Sequence, residues 1–194
     1  MKTFLFAWNP KKWDWTTLEQ SIEQIQQTGR VNEKWSVISH KKISPGDRAF
    51  LMRLGKEPKG IMAAGFAATP PFLSQHWSGE DKLVNRVIID FEVILNPKHE
   101  PLLNLQILNQ GNLAKGHWTP QASGIEVNPD ITDDLEAVWF EFLKKFFHFI
   151  KLFKISLKFE GLNKFFKDLH CISTSKKLGP FFFKKTCNIF FKVF

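Results

Sequence analysis

Residues 84 to 95, VNRVIIDFEVIL, form the longest stretch of the chain that alternates as a half-buried strand must. Val87, Ile89, Phe91 and Val93 fall two apart and face one way, and Pro97 closes the run. Other segments offer it partners. Thr3 to Trp8 reads as a buried strand ended by Asn9-Pro10, because Pro10 cannot donate to a ladder and restricts the residue before it. Lys34 to Ile38 alternates polar and apolar residues. SPGDRAFLMRLG and KGIMAAGFA are apolar strands joined by Gly55-Lys56-Glu57-Pro58, which predicts a hairpin. Pro70-Pro71 ends the second of these, FLSQHWSGED follows as a loop, and IEV (125 to 127) is a last short strand.

Helices fill the gaps. Thr16-Thr17-Leu18-Glu19 has the form of a capping box, Leu18, Ile22 and Ile25 recur at helical spacing, and Gly29 supplies a left-handed stop. Leu102 to Leu108 reads as a short helix or turn, GNLAKGHWTPQASG as a long loop, and Ile131 to Phe140 and beyond as a helix. Short strands with one helix between the first two and helices at the end predict an α+β fold, a strongly curved mixed sheet or barrel flanked by helices.

The character of the chain changes near residues 140 to 147, after which tryptophan disappears and Phe, Lys and Ile dominate. The formal net charge of +8 changes meaning there too. Lys and Arg against Asp and Glu count 15 against 16 over residues 1 to 140, and 12 against 3 over 141 to 194. The basic excess therefore belongs to the tail, and says little about a polyanion partner for the first part. Cys171 and Cys187 also lie in the tail, without the partners of a zinc or CxxC site, and read as free thiols in a reducing compartment. No stretch has the length of a signal peptide or spanning helix, so the expectation is a soluble, cytoplasmic protein with no membrane partner.

Enzyme signatures are missing. There is no GxxxxGK[ST] loop and no GxSxG elbow, and six histidines (His40, His76, His99, His117, His148, His170) show no ligand spacing. Asp133-Asp134 sit at a helix start, where they favour the dipole. Neither a metal, a cofactor nor a catalytic residue is expected. What stands out is tryptophan in loops: Trp77 in SQHWSGED, Trp118 in GHWTPQ, and Trp13 and Trp15 just after a proline. Each is able to plug a loop onto a core, and several together also suit a cage for a planar or methylated group.

The blocks MKTFLFAWNPKKWDW, KWSVISHKKISPGDRAFLMRLG, KGIMAAG, HWSGEDK and HWTPQASGIEV, in this order, resemble EVE domains of the PUA-like superfamily and, more distantly, YTH readers of methylated adenine. The similarity is greatest to the N-terminal domain of bacterial EVE–HNH modification-dependent restriction endonucleases and spans residues 1 to 143. It implies a PUA-like sheet and the reading of a modified base, 5-methyl- or 5-hydroxymethylcytosine, flipped out of double-stranded DNA into an aromatic pocket. The same resemblance puts the cage walls at Trp35 and Trp77, with Trp8 and Asn9 at the rim and Ser36 beside the cage. Trp13 and Trp15 are then better read as pinning the first helix to the sheet. Stacking worth about 1 to 3 kcal/mol per aromatic contact roughly offsets the few kcal/mol that flipping costs. Asn9 offers donor and acceptor to a base edge, and Ser36 a hydroxyl and an amide.

Lys41, Lys42, Arg53 and Lys56 are candidate phosphate contacts, or equally a solvated charged face. Gln121 and Ser123 are candidate pocket or backbone contacts, with Gly124 serving a turn. RNA, bound by other PUA-like modules, is the alternative partner. An EVE–HNH enzyme would continue into a nuclease, but residues 144 to 194 hold no histidine pair, acidic array or CxxC. That tail reads as a frameshifted or truncated product, or alternatively as a basic amphipathic segment for DNA or membrane. The chain is accordingly expected to be a binding module and not itself an enzyme.

Overall fold

The computed structural model describes residues 1–38, 42–76 and 83–148. The chain divides into two compact units at Lys144/Lys145. The second unit is described only over 145–148, which are helical; the rest of the tail, both cysteines and the questions asked of them lie outside the described residues.

The first unit is mixed α+β, built on one open, mostly antiparallel sheet. Its strands are β1 (Thr3–Trp8), β2 (Val31–Ser36), β3 (Arg48–Arg53), β4 (Gly60–Ala67), β5 (Phe72–Gln75), β6 (Leu83–Ile94), β7 (Leu103–Asn104) and β8 (Ile125–Glu126). They run in the order β2-β6-β4-β3-β1-β8, with β5 against β6 and β7 against β4. The expected long strand is the axis of this arrangement. Its 12 residues pair with β2 along one edge and with β4 and then β5 along the other, and Val87, Ile89 and Phe91 are fully buried.

β2 spans Val31–Ser36 and not Lys34 to Ile38, β7 takes Leu103–Asn104 from the expected helix or turn, and two further features depart from the sequence expectation. The first is β5, expected as a loop: after Pro70-Pro71 interrupts β4, the chain resumes pairing on the same strand, with Phe72 opposite Arg86. The Ile88 amide between the two is taken by the Thr69 hydroxyl, so the break leaves no unsatisfied donor. The second is the first helix, α1 (Leu18–Thr28). Gly29 ends it at φ +82, as expected, but the capping box does not form. Thr17 occupies the N-cap with its backbone at ψ 7, far from the extended conformation that aims a cap hydroxyl at the helix, and makes no side-chain cap bond. Glu19 instead meets Lys98 at 3.2 Å.

β1 and β3 pair in parallel, Thr3 opposite Arg48 through Trp8 opposite Arg53, so both strands end at the same edge of the sheet. Where β4 crosses β6 a bulge falls between Ala64 and Gly65. A Cβ on Gly65 would lie 2.1 Å from the Asp90 carbonyl oxygen, so only glycine permits that approach. The loop before β8 links distant strands: Gly124 N–H donates to the Leu5 carbonyl, and Ile38 N–H, just past β2, donates to the Ser123 carbonyl. The two ends of the strand order are thus brought together by a loop and not by a closed ladder.

The short α2 (Leu105–Leu108) follows β7, capped by the Asn104 side chain. A third helix, α3, covers 132–144 and packs Trp139 edge-on to Phe50 at 5.9 Å. Trp118 plugs its long loop, buried, with Nε1–H donating to the Leu113 carbonyl at 2.8 Å. Among the described residues, no helix is long and apolar enough to cross a membrane.

Candidate functional site

β1 and β3, being parallel, deliver the ends of their chains to one place, where β2, β5 and the start of β6 also arrive. A cavity of about 760 Å³ opens there, within the ~300–1,000 Å³ range of small-ligand sites. Ala7, Trp8 and Asn9 come from the end of β1, Lys12 and Trp13 from the turn that follows, and Lys34, Trp35 and Ser36 from the end of β2. Leu54 follows β3, Ser74 and Gln75 belong to β5, and Arg86 to β6. Pro120, Gln121 and Ser123 close the remaining side from the loop before β8.

The wall is an aromatic assembly with little freedom. Trp35 packs edge-on to Trp13 (5.5 Å), Trp15 (5.2 Å) and Phe91 (6.3 Å), the T-shaped geometry that ring quadrupoles favour. Trp13 stacks on Trp15 at 6.2 Å, and Trp8 meets Trp15 edge-on at 5.8 Å. Trp8 Nε1–H donates to the Trp13 carbonyl at 3.0 Å, tying the strand end to the turn. The indole N–H groups of Trp15 and Trp35 are buried without an acceptor among the described residues.

Polar groups of the lining are mostly spent on holding the wall, or are donors. Asn9 Oδ1 accepts from the Lys11 amide at 3.0 Å, while its carbonyl accepts from Lys12 and Trp13, an Asx turn. Its side chain still has the two Nδ2 donors and a second lone pair on Oδ1 to offer. Gly55 makes room for this side chain: a Cβ there would lie 2.0 Å from Asn9 Oδ1, and its φ is +75. Ser123 Oγ accepts from the Ala7 amide at 3.2 Å. Ser36 Oγ accepts from Arg86 Nη1 at 2.8 Å, across the β2–β6 ladder where the two residues are opposite. Arg86 is 8% exposed, its Nε–H has no acceptor among the described residues, and burial lowers its pKa from the usual guanidinium value. Three cations, Lys12, Lys34 and Arg86, and no carboxylate stand in the described lining. No group of three or more His, Cys, Asp or Glu able to hold a metal occurs among the described residues.

No family model matches the chain, and no curated protein matches it. Among solved structures it is similar to protein PSPTO5229 from Pseudomonas syringae, at 16% identity over 70% of this chain and 98% of that one, TM-score 0.48. A hypothetical protein from Leishmania major aligns at 13% identity over 73% of this chain and 96% of that one, TM-score 0.49. A Pseudomonas putida protein aligns at 16% identity over 70% and 98%, TM-score 0.46.

Of the expected site residues, Trp8, Asn9, Trp35, Ser36, Gln121 and Ser123 line this same cavity, although they are spread over more than a hundred positions of sequence. Trp77 and Lys41 lie outside the described residues. Two expected phosphate contacts have other employment. Arg53 is buried, donates to the carbonyls of Lys56 (2.8 Å) and Pro58, and lies over the Trp8 ring at 5.6 Å. It closes the end of the hairpin through Nη1, and its buried Nε–H has no acceptor among the described residues. Lys42 pairs with Glu126 at 3.9 Å and is not part of the cavity lining. Lys56 is exposed but not part of the lining.

The expectation for Trp13 is corrected as well: it pins the turn and also forms cavity wall. Lys12, Lys34, Ser74, Gln75 and Arg86 were not anticipated. Arg86 sits in a strand that alternates perfectly well with it as an outward residue, so the local pattern carries no sign of its burial. Its one distinguishing position is directly before Val87, the first fully buried apolar residue of β6.

Proposed function

We propose that the first unit is a reader of a modified base: it takes a base flipped out of double-stranded DNA, 5-methyl- or 5-hydroxymethylcytosine, into this cavity. It serves as the recognition part of a modification-dependent restriction system, on a PUA-like variant of its bent α+β sheet. The observation that carries the proposal is the lining itself: a rigid tryptophan wall combined with three cations and no carboxylate in the described residues. A nucleotide has a flat π face, an edge rich in acceptors and a phosphate, and each finds its complement here. Trp8, Trp13 and Trp35 offer apolar surface, Arg86 and Asn9 offer donors, and Lys12 and Lys34, both exposed, offer charge to the backbone. Near-neutral charge outside the tail leaves specificity to the pocket and not to nonspecific attraction.

The test is a titration of the full chain, at fixed salt, against matched duplexes bearing cytosine, 5-methylcytosine, 5-hydroxymethylcytosine or 6-methyladenine, and against RNA. A preference for a modified-cytosine duplex is expected. Equal affinity for every duplex overturns the reader, and tightest binding to RNA replaces it with an RNA-binding module.

A further inference from the structure

Arg86 is the group in the cavity that the architecture least explains. A buried guanidinium ordinarily meets a carboxylate, as Arg48 does in this same sheet with Glu136 and Glu92, because an uncompensated charge out of water is costly. Arg86 has one hydroxyl acceptor, Ser36 Oγ, an Nε–H with none, and no carboxylate among the described lining residues. Three of the acceptors around it are already engaged within the protein, while Ser74, Gln75 and Gln121 of the lining carry both donor and acceptor groups. Asn9 Oδ1 is taken by Lys11, Ser123 Oγ by Ala7, and Ser36 Oγ by Arg86 itself. Lys12 and Lys34 only donate.

We infer that Arg86 is the specificity-determining residue of the cavity, pairing its guanidinium with a ligand edge that carries a carbonyl oxygen beside an unprotonated ring nitrogen. Ser36 fixes the plane of the fork, which makes the pairing directional, and a guanidinium, which only donates, cannot pair with a ligand that presents N–H at the same point. Among pyrimidines this selects the O2/N3 edge of a cytosine, whose N3 accepts, over thymine or uracil, whose N3 carries a proton. A site built to satisfy a buried polar group discriminates strongly, because the wrong ligand leaves that group unpaired. The inference rests on the base-binding reading of the cavity and adds the group that chooses the base.

Two DNA duplexes provide the test, one with 5-methylcytosine and one with thymine, each opposite an abasic site so that neither base loses a pairing partner on flipping. Both carry the methyl group and differ at ring position 3 and the exocyclic group at position 4. The full chain is expected to prefer 5-methylcytosine by about tenfold or more, the scale of one good bidentate contact. Arg86→Gln and Arg86→Lys, each checked for an unchanged melting curve, are expected to bind both duplexes alike. In the wild-type protein, the Arg86 Nε–H resonance is expected to shift on adding the 5-methylcytosine duplex and to stay in place with thymine. That measurement needs no variant to fold. A wild-type preference that survives in a folded Arg86→Gln, or an unmoved Arg86 resonance in the complex, overturns the role of Arg86 while the base-binding cavity stands. Equal wild-type binding to these duplexes and to one with an abasic site on both strands overturns the cavity and this inference together.

Discussion

Arg48 and Arg86 lie on neighbouring parts of one sheet and are equally buried, at 8% exposure each, yet they are differently equipped. Arg48 places Nε on Glu136 Oε1 (2.6 Å) and Nη2 on Glu136 Oε2 (3.2 Å), a fork on one carboxylate. Its Nη1 reaches the Gly65 carbonyl and Glu92, and the rings of Phe50 and Phe66 lie 4.9 and 4.8 Å away. Among the described residues, Arg86 has a serine hydroxyl and a cavity. The contrast teaches that burial of a charge says nothing about its role until its partners are counted. A complete set makes the charge part of the fold, fixing α3 to the sheet, whereas a set left incomplete among the described residues, beside a cavity, is the ground on which Arg86 is proposed to meet a ligand.

The largest effect expected on the cavity side comes from its wall. Trp35→Ala removes a ring that is 4% exposed and touches Trp13, Trp15 and Phe91, and is predicted to cost about 3–5 kcal/mol in urea unfolding. The resemblance puts Trp35 in a cage wall, and a ring so placed is core and wall together. Trp35→Phe is the variant suited to binding measurements.

Next in size, Arg48→Met is predicted to destabilise by about 2–3 kcal/mol, less than a fully buried pair would lose, since the side chains of Glu136 and Glu92 are 39% and 35% exposed. Unfolding midpoints in urea measure it. Gly55→Ala, at φ +75 beneath the Asn9 side chain, is expected to cost about 1–2 kcal/mol and to displace the Asn9 amide resonances. An unmoved Asn9 would sever the link between the hairpin end and the cavity rim.

The smallest effect is the most informative. Arg86→Leu is predicted to leave stability within about 1 kcal/mol of the parent, or to raise it, because a desolvated and poorly partnered charge is replaced by an apolar group. The comparison breaks if this variant loses as much as Arg48→Met. Calorimetry on the two side by side decides.

Much of the frame was legible along the chain. β1 was expected over Thr3–Trp8 and has those limits; β3, β4 and β6 lie where apolar periodicity put them; and Gly29 stops α1 in the left-handed conformation. These are features that a few adjacent residues decide among themselves. β5 escaped notice because a Pro-Pro pair and a polar sequence are local signs of a loop, while the edge of β6 beyond β4 was vacant for pairing. The capping box failed for a related reason: the motif was present, but the backbone entering α1 is set by Trp15, which is packed among Trp8, Trp13 and Trp35.

For the site, the sequence named Trp8, Asn9, Trp35, Ser36, Gln121 and Ser123, and they do share a cavity. It mistook Arg53 for a surface cation and overlooked Arg86, since a guanidinium looks the same in sequence whether it meets water, a carbonyl or an empty space. By itself, then, the sequence determined which segments are strands and helices, because hydrophobic period and backbone-restricting residues act over a few positions. The parallel pairing of β1 with β3 and the burial of Arg86 opposite Ser36 were decided only by the tertiary structure. Both depend on which distant strands become neighbours, and desolvation is a property of the surroundings and not of the residue.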